Sequence, residues 1–192
     1  MKQKIAEALR NYKKRRITDE SLTPSAVLIP LFIDEGEECH VLLAERSREV
    51  GSHKGQVCLP GGTSQAGDAG LLQTALREAE EEIGLRVQDV EVVGEFDDDA
   101  VVTTGYVISP FVGFVPYPYP FKVNKKEIEQ IFSVPLSVLR DEANLRLDYH
   151  TVGDRTFFGY CYEHEGHVIW GATARILKRF TELLTPESGA PL

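Results

Sequence analysis

The chain has 192 residues, 42% hydrophobic and 27% charged, which is enough apolar side chain for a buried core and too much for a disordered chain. Its 21 basic and 30 acidic residues leave a net charge of −9. That argues against a general nucleic-acid binder, which needs a basic face to displace phosphate counterions, but not against a small anionic substrate, because a bound divalent cation reverses the sign of a local site.

No apolar run approaches the roughly 20 residues needed to span a bilayer, so no membrane partner is expected. Residues 1–15 are helical and basic but lack the apolar stretch of a secretory signal, and residues 187–192 are not a peroxisomal tripeptide. Cys39, Cys58 and Cys161 are odd in number and lack metal-type spacing. They are expected to be reduced thiols in a cytoplasmic protein.

Residues 3–15 alternate apolar and charged at helical spacing through Ile5, Ala8, Leu9 and Tyr12. Residues 26–33 read as a strand too apolar for a wet face, with Pro30 suggesting an edge or bulge. Residues 34–38 read as a hairpin turn, Cys39 to Ala44 as the returning strand, and Glu45 to Gly55 as a polar loop. A short strand, Gln56 to Leu59, ends on Pro60, Gly61 and Gly62. The strongest helix runs from about Asp68 to Ile83, with Asp68 a candidate N-cap. Strands are expected over 87–96 and 106–115, a solvated turn at Asp97, Asp98 and Asp99, a proline-aromatic connector over 117–120, and a short helix over 135–142. A hairpin over 145–160 and a helix over 171–184, ended by Pro186, complete the chain. This order predicts an α/β sandwich with a mixed sheet. It is expected to be one domain over 1–192, with an N-terminal helix in about 1–20 and a core over 25–184.

In the 68–83 helix, a turn of 100° per residue places Ala75, Leu76, Ala79 and Ile83 within about 60° of Leu72, which defines the buried stripe. Glu78 and Glu82 lie one turn apart on its flank, and Glu81 lies beyond them. Two carboxylates about 6 Å apart repel by about 3 kcal/mol at an effective dielectric of ~20. A hard divalent cation, Mg²⁺ or Mn²⁺, removes that repulsion and bridges substrate phosphates. The same run is also compatible with a solvated helix face, with Arg77 pairing with Glu81 and Gly84 ending the helix.

The run from Gly62 through Leu85, ending Arg77-Glu78-Ala79-Glu80-Glu81-Glu82-Ile83-Gly84-Leu85, resembles the signature box of the Nudix hydrolases. Asp68 stands where that box carries glutamate, and the loop-to-helix segment is one residue longer. That variant resembles the coenzyme A pyrophosphatase branch. So do Leu42 to Ser47, His53, Gly55, Gln56 with Val57, and Leu59 to Gly62 upstream. Downstream, Thr104 to Val107, Pro110 to Gly113, Glu127 with Ile128, Phe132, Pro135 with Leu136, Trp170 with Gly171 and Thr173 with Ala174 extend the likeness over about residues 25–180. Gly51 departs from it, standing where the branch usually has an arginine.

The resemblance implies a Nudix-type α/β/α sandwich and hydrolysis of the diphosphate of coenzyme A or acyl-CoA to 3′,5′-ADP and (acyl-)4′-phosphopantetheine. ADP-ribose, dinucleotides or other nucleoside diphosphate derivatives are the alternative substrates, and a non-catalytic ligand-sensing domain is the alternative role. It implies Mg²⁺ or Mn²⁺ held by Glu78, Glu82, Glu81 and the Gly61 carbonyl, with Arg77 orienting a glutamate. Glu127 or Glu81 is the general base. Arg46, Arg48, Lys54 and Gly62 are candidates for substrate phosphates, with His53 a further donor, and Trp170, Tyr106 and Phe111 are either adenine-stacking or core aromatics. Such a fold is compatible with a homodimer.

Overall fold

The computed structural model describes residues 1–48, 54–101, 103–152 and 154–185. Gly51, His53 and Pro186 lie outside the described residues. Among the described residues eight strands form the main sheet: β1 (Thr23–Ile33), β2 (Cys39–Arg46), β3 (Val57–Cys58), β4 (Gly61–Thr63), β5 (Glu91–Glu95), β6 (Asp99–Val101), β7 (Tyr106–Phe114) and β8 (Ile128–Pro135). Its main path is β3-β2-β1-β7-β5, with β4 on β1, β6 on β7 and β8 on β2. β1 and β7 pair in parallel from Thr23 with Tyr106 to Leu31 with Phe114, and the other pairings are antiparallel. A second, antiparallel sheet consists of β9 (Leu145–Val152), β10 (Arg155–His164) and β11 (His167–Trp170).

Helices cover both faces of β1, which explains a strand with no polar face. Ala26, Leu28 and Phe32 pack with Ala75, Leu76, Ala79 and Ile83 of α2 (Leu71–Ile83). On the other face Ile29 and Leu31 join Ile5 and Leu9 of α1 (Lys2–Asn11), Leu136 and Leu139 of α3 (Leu136–Arg140), and Ile176, Leu177 and Phe180 of α4 (Gly171–Leu183). Among the described residues no helix is long and apolar enough to cross a membrane.

Several sequence expectations are corrected. The first helix stops at Asn11 rather than residue 15. Tyr12 is extended and stacks on Phe96 at 5.3 Å, and the N–H groups of Arg15 and Ile17 donate to Asp97 and Asp98 instead of to a helix. Pro30 is interior to the sheet, not at an edge. Leu28 N–H bonds Pro60 on one side, β2 begins pairing at Leu31, and the missing N–H of Pro30 falls between these two partners. Asp97, Asp98 and Asp99 are buried, not a solvated turn. Asp98 receives Ser109 Oγ at 2.6 Å and lies 3.0 Å from Lys14 Nζ, while Asp99 binds Arg175 and Arg179 of α4 at 2.6 and 2.9 Å. The three carboxylates thus tie both ends of the chain to the sheet. Residues 87–89 form a turn of 3₁₀ helix before β5. Strands β4, β8 and β11 lie where no strand was expected.

Candidate active site

α2 is held at both ends by contacts the sequence partly encodes. At its C-terminus Gly84 is left-handed (φ 69°), and its N–H donates to Glu80 O while Leu85 N–H reaches Ala79 O. A Cβ at Gly84 would lie 2.9 Å from the backbone of Lys122, so a side chain has no room there. At its N-terminus the helix begins at Leu71, not Asp68. Asp68 does not cap the helix. It accepts Arg77 Nε at 3.0 Å, Thr74 Oγ1 at 2.8 Å and Gln65 N–H at 3.0 Å. Hydrogen bonding from Arg77 holds its carboxyl well below the usual carboxylate range.

Arg77 fans out from that pair. Its Nη1 reaches Glu78 at 2.7 Å and Glu81 at 3.2 Å, and Nη2 reaches the Thr63 carbonyl at 3.2 Å. The guanidinium therefore locks β4, the following loop and two carboxylates of α2 into one arrangement. Gly62 packs against the same group, since a Cβ there would lie 2.6 Å from the Glu78 carboxylate.

Glu82 is 1% exposed, deeper than a position on the flank of the stripe suggests. Its Oε2 accepts from Gly61 N–H at 3.1 Å, and Oε1 lies 3.3 Å from Arg46 Nη1. Burial pushes its carboxyl up to about 7 against the opposing pull of Gly61 N–H and Arg46, and the charges of Glu78 and Glu127 push the same way as burial. Glu127 is positioned by Asn124, whose Nδ2 donates to Glu127 Oε1 at 2.9 Å and whose N–H donates to Glu82 O at 2.9 Å. Asn124 was not anticipated; the only local signal is its place three residues before Glu127.

The structure thus gathers Glu78, Glu82, Glu127, Arg46, Arg77, Gly61 and Gly62. Glu81 is on the rim, with a side chain 55% exposed. Arg48 is exposed and lines a separate cavity of about 620 Å³ with Lys125 and Lys126, and the exposed Lys54 lines neither cavity. From Gly61, Gly62 and Arg46 a cavity of about 810 Å³ extends to His150, Phe157 and Trp170 of the second sheet. Tyr106 and Trp170 line it, whereas Phe111 is buried against α2. Cys58 also lines it, with its thiol pushed up to about 12 by burial, and all three cysteines are free.

Among the described residues no three acidic, histidine or cysteine side chains close into a ready metal cage. Arg77 pairs with Glu78 and Glu81, and Arg46 with Glu82. The donor chemistry nevertheless fits a hard cation: the groups are oxygen donors, one is buried, and its charge is raised in energy by two neighbouring carboxylates.

The NUDIX domain family matches residues 22–155. A protein of Yersinia enterocolitica named uncharacterized Nudix hydrolase NudL is 36% identical over 162 residues, 82% of this chain and 80% of that one. Its namesake in Photorhabdus laumondii is 35% identical over 173 residues, 88% of each chain. The crystal structure of the Nudix hydrolase RenU from M. smegmatis shares the fold, with a TM-score of 0.53 at 19% identity over 84% of this chain and 85% of that one. The glycine strand, the Arg77 hub and the carboxylate face of α2 thus sit in a chain that belongs to the Nudix hydrolases, enzymes of phosphoric anhydride bonds that generally use divalent metal ions.

Proposed function

We propose that the chain is a metal-dependent diphosphatase that hydrolyses coenzyme A or its thioesters to 3′,5′-ADP and (acyl-)4′-phosphopantetheine. The observation that carries the hydrolytic reading is the buried Glu82 carboxylate, held by Gly61 N–H and Arg46, two residues that line the 810 Å³ cavity. The coenzyme A assignment rests on the likeness of residues 25–180 to that branch. ADP-ribose, dinucleotides and other nucleoside diphosphate derivatives remain the alternative substrates, which Gly51 in place of the usual arginine keeps in play.

Mg²⁺ or Mn²⁺ would be held by Glu78 and Glu82, with the Gly61 carbonyl and Glu81 as further ligands, and would supply positive charge to the diphosphate and acidify the attacking water. Arg46 binds a phosphate oxygen of the substrate, and Arg77 keeps Glu78 in place. Glu127 takes the proton of the water that attacks one phosphorus. The anhydride P–O bond breaks, and its electrons leave on the oxygen of the other phosphate. One water is consumed and two phosphate monoesters form. Because positioning and charge dominate such chemistry, groups fixed by hydrogen bonds, such as Glu127 on Asn124, suit the role.

The test compares turnover of coenzyme A with that of dephospho-coenzyme A in Mn²⁺, for the wild type and Glu82→Gln. A preference of about tenfold or more for coenzyme A in the wild type, with E82Q inert toward both, is expected. Equal rates overturn the coenzyme A assignment and leave the diphosphatase. A wild type inert toward a panel of nucleoside diphosphate derivatives overturns both and favours ligand sensing.

A further inference from the structure

The second sheet ends in a free edge. Among the described residues β9 pairs with β10 alone, and along Leu145–Val152 it carries no proline, lysine or bulge of the kind that blunts an exposed strand. Tyr149 N–H donates to the neighbouring Asp148 Oδ1 at 2.7 Å and not to Phe158, the residue opposite it on β10. That N–H therefore points to the open side. Backbone directions alternate along an antiparallel strand, so Leu145 and Leu147 turn their N–H and C=O groups outward as well.

The side chains along this edge alternate in chemistry. Leu147 and Tyr149 share one face with Phe158 and are 59%, 69% and 59% exposed, and the Tyr149 and Phe158 rings meet at 4.8 Å. A contiguous apolar patch left in water marks an interaction surface. On the opposite face stand Arg146 and Asp148, of opposite sign and two residues apart. A two-fold axis through Leu147 sets Leu147 opposite itself, Leu145 opposite Tyr149, and Arg146 opposite Asp148 on both sides of the axis. Moving the axis by one residue sets Arg146 against Arg146 or Asp148 against Asp148, so charge selects a single register. Arg146 Nη2 also holds Glu163 of β10 at 2.5 Å in an exposed contact, which leaves further guanidinium N–H groups for a second carboxylate.

We propose that β9 is a self-association edge: two copies of this chain pair their β9 strands antiparallel about Leu147 and join their three-stranded sheets into one. The outward N–H and C=O groups of Leu147 bond those of the partner's Leu147, and those of Leu145 bond the partner's Tyr149. Tyr149 N–H then exchanges the Asp148 carboxylate for a carbonyl, which frees that carboxylate for the partner's Arg146. The apolar face continues across the junction as Leu145, Leu147 and Tyr149 of each copy. This pairing is independent of the reaction the chain performs.

Sedimentation equilibrium of the full chain tests it, with the wild type, Asp148→Arg, Arg146→Asp and an equimolar mixture of the two variants, and circular dichroism as the check on folding. The wild type is expected to be a monomer–dimer mixture at about 0.1 mM. D148R alone sets positive charges against each other across the axis, and R146D alone sets negative ones. Each is expected to raise the dimer Kd by about tenfold or more. In the mixture every facing pair is opposite in sign, so association is expected to return to wild-type strength as a heterodimer, a recovery that misfolded variants could not give. A wild type that stays monomeric at about 0.1 mM, a dimer indifferent to both variants, or a mixture that associates no better than its folded components overturns the inference.

Discussion

Arg46 Nη1 on β2 lies 3.3 Å from the carboxylate of Glu82 on α2, whose side chain is 2% exposed. The pair sets an arginine charge where a buried acid needs one. Removing one partner of a buried pair leaves the other uncompensated. Arg46→Ala is therefore expected to destabilise the metal-free protein by about 1–3 kcal/mol, read from urea unfolding, and to raise KM for the diphosphate substrate. Unchanged stability and KM together would show that the contact contributes neither.

Arg77 acts through its neighbours, since its hydrogen bonds run to Asp68, Glu78, Glu81 and Thr63. Arg77→Lys keeps the charge and loses the planar fork. It is expected to lower kcat by about 10–100-fold, as loss of a group that orients a metal ligand does, with a much smaller change in KM. A rise in KM at constant kcat would place Arg77 on the substrate instead.

Asp98 provides a pH test away from the active site. Burial favours its neutral form, but hydrogen bonds from Ser109 and Ile17 and the charge of Lys14 win, and its carboxyl is lowered overall. A lowered carboxyl contributes stability that is fully present above its unfolded value, about 3.9, and is lost as pH falls through the folded one. Asp98→Asn is expected to cost about 2 kcal/mol at pH 7, with the gap to wild type narrowing as the pH falls below the unfolded value. A gap independent of pH would mean that the carboxylate charge contributes nothing.

The proton acceptor separates by position. Glu127 is tied to Asn124 beside Glu82, whereas Glu81 is on the rim, paired with Arg77. Glu127→Gln is expected to lower kcat by about 10²–10⁴-fold, and Glu81→Gln by much less. The reverse pattern would move the role to Glu81.

What could be read in advance follows how local each signal is. The apolar period of α2 and the Gly84-Leu85 stop lie within one helix, and both were legible. The depth of Glu82 was not. Leu72, taken as the centre of the stripe, is 37% exposed, and the buried face is rotated toward Glu82. Only the sheet packed against the helix decides that rotation. Asp97, Asp98 and Asp99 read as a solvated turn because their partners, Lys14, Arg15, Arg175 and Arg179, are about 80 residues away in either direction. Two of the three residues of β4 are glycines, which disfavour a strand; its pairing with Ser25, Ala26 and Val27 of β1 makes it one. The stacking of His150 on Trp170, beside Phe157, was not legible for the same reason, since these rings meet only across strands.

The most direct test is anomalous diffraction from crystals of the protein soaked in Mn²⁺. A single manganese peak in coordination distance of the Glu78 and Glu82 carboxylates and the Gly61 carbonyl, lost in Glu82→Gln crystals, is the expected result. No peak between α2 and the Gly61 strand at millimolar Mn²⁺, or one that persists unchanged in E82Q, would contradict it.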